Sequence, residues 1–357
     1  MLSFGVKRVV NGILVLWGVA TLVFLLFSAL PADPARMMLG QRDDAETLER
    51  IREKYGFDLP LYQQYYLFLK DLCPLAYHLN GDGLAEYQDG KYTGVSLLST
   101  SKGKVLLKVP YLRTSFQNEG MPVINIIKNT LPNTVVLAVS AIVIAFILGV
   151  LLGMVSAYFH GKWMDSVINF LSIFGMAVPS FFAAIIIAYI FAFLYRDITG
   201  LPMNGSLISI DDYTGEASIA WKNLILPALT LGIRPLAVIV QLTRNSFLEV
   251  LSADFVRTAR AKGIGKLSIW FKHVMRNALN PVITATSGWF ASMLAGAVFV
   301  EYIFGWNGMG KEIVNALNNL DLPLVMGTVM VAAGLFVLIN ILVDFAYAAL
   351  DPRIRLR

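Results

Sequence analysis

Six stretches of this chain are long and apolar enough to cross a lipid bilayer, and they leave little else for it to fold into. Val9 to Leu30, Asn133 to Tyr158, Ser166 to Tyr195 and Asn277 to Val300 carry no charged side chain, whereas Asn223 to Thr243 holds Arg234 and Pro323 to Leu350 holds Asp344. Each is near or above the roughly 20 residues that a helix needs to span the hydrocarbon core. With 57% hydrophobic and 15% charged residues over 357 positions, the chain is too apolar for a soluble globule. The expected fold class is an all-α polytopic membrane protein with six transmembrane helices.

Details within the spans point to how they pack. Gly149 and Gly153, in GVLLG, give the second span a small-residue face for close helix approach. Pro179, in GMAVPSFF, predicts a kink near the middle of the long third span. The first span exceeds the h-region of a cleaved signal, and LPADPARMM places Pro31 and Pro34 where a cleavage site would stand, so it is read as retained.

Charge sets the expected orientation. Lys7 and Arg8 place the amino terminus in the cytoplasm, and six crossings return Arg353, Arg355 and Arg357 to the same side. Residues 1–30 then form the cytoplasmic start and first span, 31–130 an extracytoplasmic segment, and 131–357 a core with a cytoplasmic loop at 244–277. Within the external segment, Asp43 and Glu46 resemble a capping box that opens a helix through ETLERIREKY, with Gly56 as its stop. LPLYQQYYLFLKDL puts Leu61, Tyr65, Phe68 and Leu72 on one face, suited to the membrane surface. VSLLSTSKGKVLLKV reads as a β-hairpin with Gly103 in its turn. The Gly- and Asp-rich stretch from Asn80 to Gly94, with Lys91, reads either as a surface loop or as part of an ordered docking surface.

The connection from Leu251 to Pro281 has a different character. Arg244, Arg257, Arg260, Lys262, Lys266, Lys272 and Arg276 crowd it and its margins, against acids only at Glu249 and Asp254. Ala253, Val256, Ala259, Ala261 and Gly263 recur among the bases at helix-like intervals. The pattern predicts a short helix with a low-profile face, shaped to enter a groove on another protein.

Other chemistry finds little support. GWNGMGK, from Gly305 to Lys311, matches half of a phosphate-binding loop, but Glu312 stands where a magnesium-binding hydroxyl belongs. It is read as a tight turn. The single Cys73 excludes an internal disulfide framework, and His78, His160 and His273 are scattered, so no metal site and no catalytic residues are expected. The basic excess is explained by orientation in the bilayer, and no nucleic-acid partner is expected.

RTARAKG (Arg257 to Gly263) followed by RNALNPV (Arg276 to Val282) resembles the EAA loop of ATP-binding-cassette importer permeases, in the variant of the dipeptide, oligopeptide and nickel permeases. The resemblance covers nearly the whole chain, through DPARMMLG, FDLPLYQQY, PVINIIKNTLPNTVVLAVSA, LILPALTLG, GAVFVEYIFGWNGMG and NILVDFAYAALDPRIR. It implies the type I importer fold, a second homologous permease subunit, two cytoplasmic ATP-binding subunits and an extracytoplasmic substrate-binding protein. It implies no cofactor in this chain, with ATP and magnesium held by the ATPases. Arg257, Thr258, Ala259, Arg260, Ala261, Lys262 and Gly263 would form the ATPase-coupling segment, with Gly263 at a turn between two short helices. Arg257 replaces the glutamate that names the motif, so no salt bridge from that residue carries over.

Residues 74–110 stand as an insertion relative to shorter members, and Lys91 and Gly103 are expected to contribute to binding-protein docking. Arg234, where members commonly have a small or apolar residue, is a candidate for the translocation pathway or for a pairing between helices. Arg234 and Asp344 are also the only support for an ion-gradient-driven secondary transporter, the competing reading. Peptides are the expected cargo, with nickel, glutathione or some sugars as alternatives.

Overall fold

The computed structural model describes residues 2–29, 35–36, 45–79, 94–99, 103–118, 120–210 and 215–350. Its α-helices of more than four residues, in chain order, are α1 (Leu2–Ser28), α2 (Ala45–Tyr55), α3 (Leu61–Leu72), α4 (Val123–Tyr158), α5 (Trp163–Ala177), α6 (Ser180–Ile187), α7 (Lys222–Ser252), α8 (Asp254–Ala261), α9 (Met275–Gly296), α10 (Val298–Ile303), α11 (Met309–Asn318) and α12 (Leu322–Leu350). Strands β1 (Leu75–Leu79), β2 (Gly94–Ser99) and β3 (Gly103–Lys108) form one antiparallel sheet in the order β1-β3-β2, and β4 (Ile208–Ile210) pairs with β5 (Ala217–Ile219). The chain divides into two compact units, one built mainly from Thr130–Glu312 with the chain from Leu335 onward, the other from Val6–Asn129 and Ile313–Gly334.

In the first unit, α4, α7 and α9 share a core of Ala145, Val150, Ile239 and Val282. Gly149 and Gly153 make the close approach expected of them. A Cβ on Gly149 would lie 2.6 Å from Ile239, and one on Gly153 would lie 2.6 Å from Thr243 and 2.7 Å from the Val240 carbonyl. A side chain at either position would therefore force α4 and α7 apart. Nearer the other end, Leu137, Ala141, Leu226, Ala228, Val300 and Trp306 belong to a second cluster that α10 and the turn after it help to close.

The stretch from Ser166 to Tyr195, long enough to tilt or break, is bent far more sharply than the kink expected at Pro179. Pro179 has no N–H to continue a helix and restricts Val178 before it, so α5 ends and α6 starts afresh with an extended break between them. The two directions differ by 111°. After Ile187 the helix continues as π-helix over Ala188–Leu194.

By length and composition, four helices among the described residues are able to cross a membrane: Gly5–Ser28, Val123–Tyr158, Lys222–Ser252 and Leu322–Phe345. The bent α5–α6 pair makes a fifth if it is one span. α9 covers the remaining expected stretch as a helix, but Arg276, Asn277 and Asn280 occupy its first turns. Thr284, Thr286 and Ser287 bond back to carbonyls of their own helix, which gives each hydroxyl an acceptor within it.

In the second unit, Ala20 and Phe24 of α1 pack on Phe68 of α3, with Met326 and Met330 of α12 against them. Asp321, at the start of α12, accepts from the Ser115 hydroxyl and from the Phe116 amide at 3.1 Å. The expected stop after α2 is present, since Gly56 has φ of 70°. Asp43 of the expected capping box lies outside the described residues. The hairpin of β2 and β3 forms with Ser99 opposite Lys104 as its last pair, so Gly103 lies in the connection as expected, and it also pairs with Leu79 of β1. Lys91 lies outside the described residues.

Candidate functional site

The basic connection folds as two turns of helix, α8, set on an apolar base. Val256 and Ala259, one turn apart, are buried with Ala157 of α4, Phe247 of α7, Ile269 and Val274 of the segment leading into α9, and Ala278 of α9 itself. The helix ends in a Schellman arrangement. The Gly263 amide donates to the Arg260 carbonyl at 2.9 Å and the Ile264 amide to the Ala259 carbonyl at 3.2 Å, while Ile264 packs against the same apolar base. Gly263 has φ of 76°, a left-handed conformation that glycine adopts without steric cost, and a Cβ there would meet open space.

This geometry divides the expected coupling segment. Arg257, Thr258, Arg260, Ala261, Lys262 and Gly263 are exposed, whereas Ala259 faces inward against the chain's own core. Val256 and Ala259 therefore seat α8 on its own chain, and the face left for a partner is the basic one, with Ala261 and Gly263 on it. Phe255 and Leu267 flank it, 45% and 77% exposed. The ion pair between Arg257 and Asp254 is almost wholly in solvent, so it contributes little.

Beside this base lies a buried polar cluster that the pattern of the sequence did not reveal. Asp165, in the first turn of α5, has a side chain only 6% exposed. Arg244 of α7 grips it with two bonds, Nε to Oδ1 at 2.7 Å and Nη2 to Oδ2 at 2.8 Å. Ser156 Oγ donates to Oδ1 at 2.6 Å, Asn169 Nδ2 to the same oxygen at 2.7 Å, and the Gly161 amide to Oδ2 at 3.0 Å. His160 Nδ1 stands 3.0 Å from Arg244 Nη2 and 3.3 Å from Asp165 Oδ2. Charge-assisted, bidentate bonding of this kind fixes direction as well as distance. The end of α4, the start of α5 and the last third of α7 are thus held in one arrangement.

A second buried carboxylate belongs to the turn first met as GWNGMGK. Glu301 of α10 is fully buried, and its Oε2 accepts from the amides of Gly310 at 2.6 Å and Lys311 at 3.3 Å. Its Oε1 has no hydrogen-bond partner among the described residues. This turn lies between the expected fifth and sixth crossings, and there burial pushes the Glu301 carboxyl up to about 7, against the opposing pull of the Thr134 hydroxyl and the two amides. The amides that would cradle a phosphate in a nucleotide-binding loop are thereby occupied by the chain's own carboxylate. The Lys311 ammonium is directed to Asn307 Oδ1 at 2.7 Å and to the Gly305 carbonyl. Trp306 is buried in the same turn and donates to the Asn133 carbonyl at 3.0 Å.

The remaining candidates lie apart. Arg234 is exposed on α7, next to the buried Pro235, and makes no hydrogen bond or ion pair among the described residues. Gly103 belongs to the sheet of the second unit, where Leu75, Leu107 and Val95 form one cross-strand row whose side chains are exposed.

Residues 149–356 match the model of the binding-protein-dependent transport system inner membrane component, and residues 1–79 match that of the N-terminal part of such membrane components. The chain is 33% identical over 373 residues to the dipeptide transport system permease protein DppB of Alkalihalophilus pseudofirmus, covering 99% of this chain and 100% of the relative. It is 31% identical over 355 residues to the glutathione transport system permease protein GsiC of Escherichia coli, covering 99% of each. The apolar helices, the α8 connection and these full-length similarities together place the chain in the family of binding-protein-dependent transport system inner membrane components, as a permease subunit of an ATP-binding-cassette importer.

Proposed function

We propose that this permease forms half of a translocation pathway for di- or oligopeptides and takes its driving force through α8 from a cytoplasmic ATPase. The observation that carries this reading is the arrangement of α8: a short helix held from behind by Val256 and Ala259, presenting Arg257, Thr258, Arg260, Ala261 and Lys262 outward between exposed Phe255 and Leu267. A basic rim around exposed apolar side chains has the composition of a protein contact. A helix seated on the ends of α4 and α7 is placed to pass movement of that contact into the spans.

In this reading α9 completes six crossings, both termini are cytoplasmic, and a second homologous permease subunit faces this one across the pathway. Two ATPases bind ATP and magnesium below, and neither is needed as a cofactor of this chain. The exposed row Leu75, Leu107 and Val95 on the sheet at 75–108, with Gly103, faces the extracytoplasmic binding protein, and Lys91, which belongs to the same stretch of sequence, is assigned to the same docking role. Arg234 turns toward the pathway, where its charge attracts a peptide carboxylate. An unpaired charge in lipid costs at least about 2.5–3.5 kcal/mol, which favours a position facing water or a partner.

The test is uptake by the complete transporter in proteoliposomes, with a dipeptide mixture read by mass spectrometry. Uptake should require ATP and the binding protein and should ignore imposed proton or sodium gradients. Uptake driven by either gradient without ATP would replace this reading with secondary transport, and ATP-driven uptake of nickel but no peptide would replace the cargo.

A further inference from the structure

Nothing in the transport reading so far uses the Asp165 cluster, although it is the densest polar network in the first unit's described hydrogen bonds. Its position is specific. Arg244 lies eight residues before the end of α7 at Ser252, about 12 Å along the helix axis from the start of α8. Ser156 and Gly161 flank Ala157 and the end of α4, and Ala157 and Phe247 are the residues of α4 and α7 on which α8 sits. The apolar base of α8 and the Asp165 cluster therefore engage the same two helix ends.

We propose that Asp165 and Arg244 are positioning residues for transport: their bidentate pair joins the α4–α5 turn to α7, so that a displacement of α8 moves these helices as one body. Apolar contacts such as Val256 on Phe247 are non-directional and tolerate sliding. The pair is not, because both carboxylate oxygens are held at short range from α4, α5 and α7 at once. Stability alone does not call for it, since well-packed apolar groups commonly serve as well as a buried ion pair. The tight Gly149 and Gly153 crossing of α4 on α7 extends the same rigid body away from α8.

This inference rests on the reading of α8 as the ATPase contact, and it is tested on the complete transporter with both permeases, the ATPases and the binding protein. Three quantities are measured for Asp165→Asn and Arg244→Lys: yield of assembled complex, binding-protein-stimulated ATP hydrolysis, and uptake of the dipeptide mixture. Hydrolysis per assembled complex should stay within about twofold, while uptake per ATP falls about fivefold to tenfold in Asp165→Asn and less in Arg244→Lys, which keeps the charge but loses the fork. Uptake and hydrolysis falling in equal proportion would reduce the pair to a structural role, and an unchanged ratio in both variants would remove it from the mechanism. If Asp165→Asn does not assemble, the ratio in Arg244→Lys decides alone. The contact made by α8 is read separately, by cross-linking, so the inference and the reading beneath it fail on different observables.

Discussion

Asp165 and Glu301 are both buried carboxylates near the ends of apolar helices, and they are satisfied in opposite ways. Asp165 has a guanidinium across two short bonds and three further donors, so its charge is fully answered by groups from α4, α5 and α7. Among the described residues Glu301 meets no cation; one oxygen takes two amides of its own turn, and the Thr134 hydroxyl of α4 adds an uncharged donor. The first ties together elements far apart in sequence; the second closes a local loop around Trp306 and Gly308. A Cβ on Gly308 would overlap the Glu301 carboxyl, which shows how closely that loop wraps its acid. What separates a tie from a plug is the answering charge, a guanidinium in one case and uncharged donors in the other.

Breaking the tie should have the largest effect. Arg244→Ala leaves the Asp165 carboxylate buried without its cation, which costs roughly 3 kcal/mol when one partner of a buried pair is removed. The thermal midpoint of the purified transporter should fall clearly. An unchanged midpoint would mean that Ser156, Gly161 and Asn169 suffice for Asp165, and the contrast with Glu301 would disappear.

Removing the plug should cost less. Glu301→Ala strands the Gly310 and Lys311 amides, a penalty of about 1–3 kcal/mol, whereas Glu301→Gln keeps an acceptor for them and should change stability by less than about 1 kcal/mol. Acidity sharpens the difference. Because burial raises the Glu301 carboxyl from 4.5 to about 7, the folded turn binds more protons than the unfolded chain between those values, so its stability falls as the pH rises through that window. Hydrogen exchange of the Gly310 and Lys311 amides, corrected for intrinsic rates, should quicken from the acid to the alkaline side of the window in the native chain and stay level in Glu301→Gln. A native chain with no such change would show that Glu301 remains ionised throughout.

The smallest effect concerns the end of α8. Gly263→Ala meets no neighbour but places a Cβ on a residue with φ of 76°, at a cost of about 1 kcal/mol. Circular dichroism melts should show only a slight loss. A loss as large as that of Arg244→Ala would mean that Gly263 is packed against something besides its own backbone.

These contrasts track what the sequence made legible. The apolar stretches, the clustered bases and the Gly149 and Gly153 face are local patterns, and the helices, the α8 connection and the close α4–α7 crossing follow them. Pro179 marked the break between α5 and α6, but an angle of 111° is set by what the two halves pack on, which no local pattern encodes. Small residues suit close approach to a partner, which favours an outward Ala259, but burying Val256 and Ala259 in one cluster with Phe247 and Ala157 takes precedence. The Asp165 and Arg244 pair spans 79 positions, so neither residue signals the other. Glu301 directly follows the uncharged run ending at Val300, where an acid reads as the first residue of a loop although its side chain turns inward.

The central claim is that the exposed face of α8 carries the ATPase contact, and cross-linking at Ala261 tests it most directly. Ala261 is exposed at the end of α8, and Cys73 is the only native thiol, so Ala261→Cys in a Cys73→Ser chain presents a single reactive group. A photoactivatable maleimide attached there should cross-link to the ATPase subunit, with a yield that changes when ATP is bound and hydrolysed. Efficient labelling at Ala261 with cross-links to lipid or to the other permease subunit but none to the ATPase, in a transporter that still takes up peptide, would contradict the account.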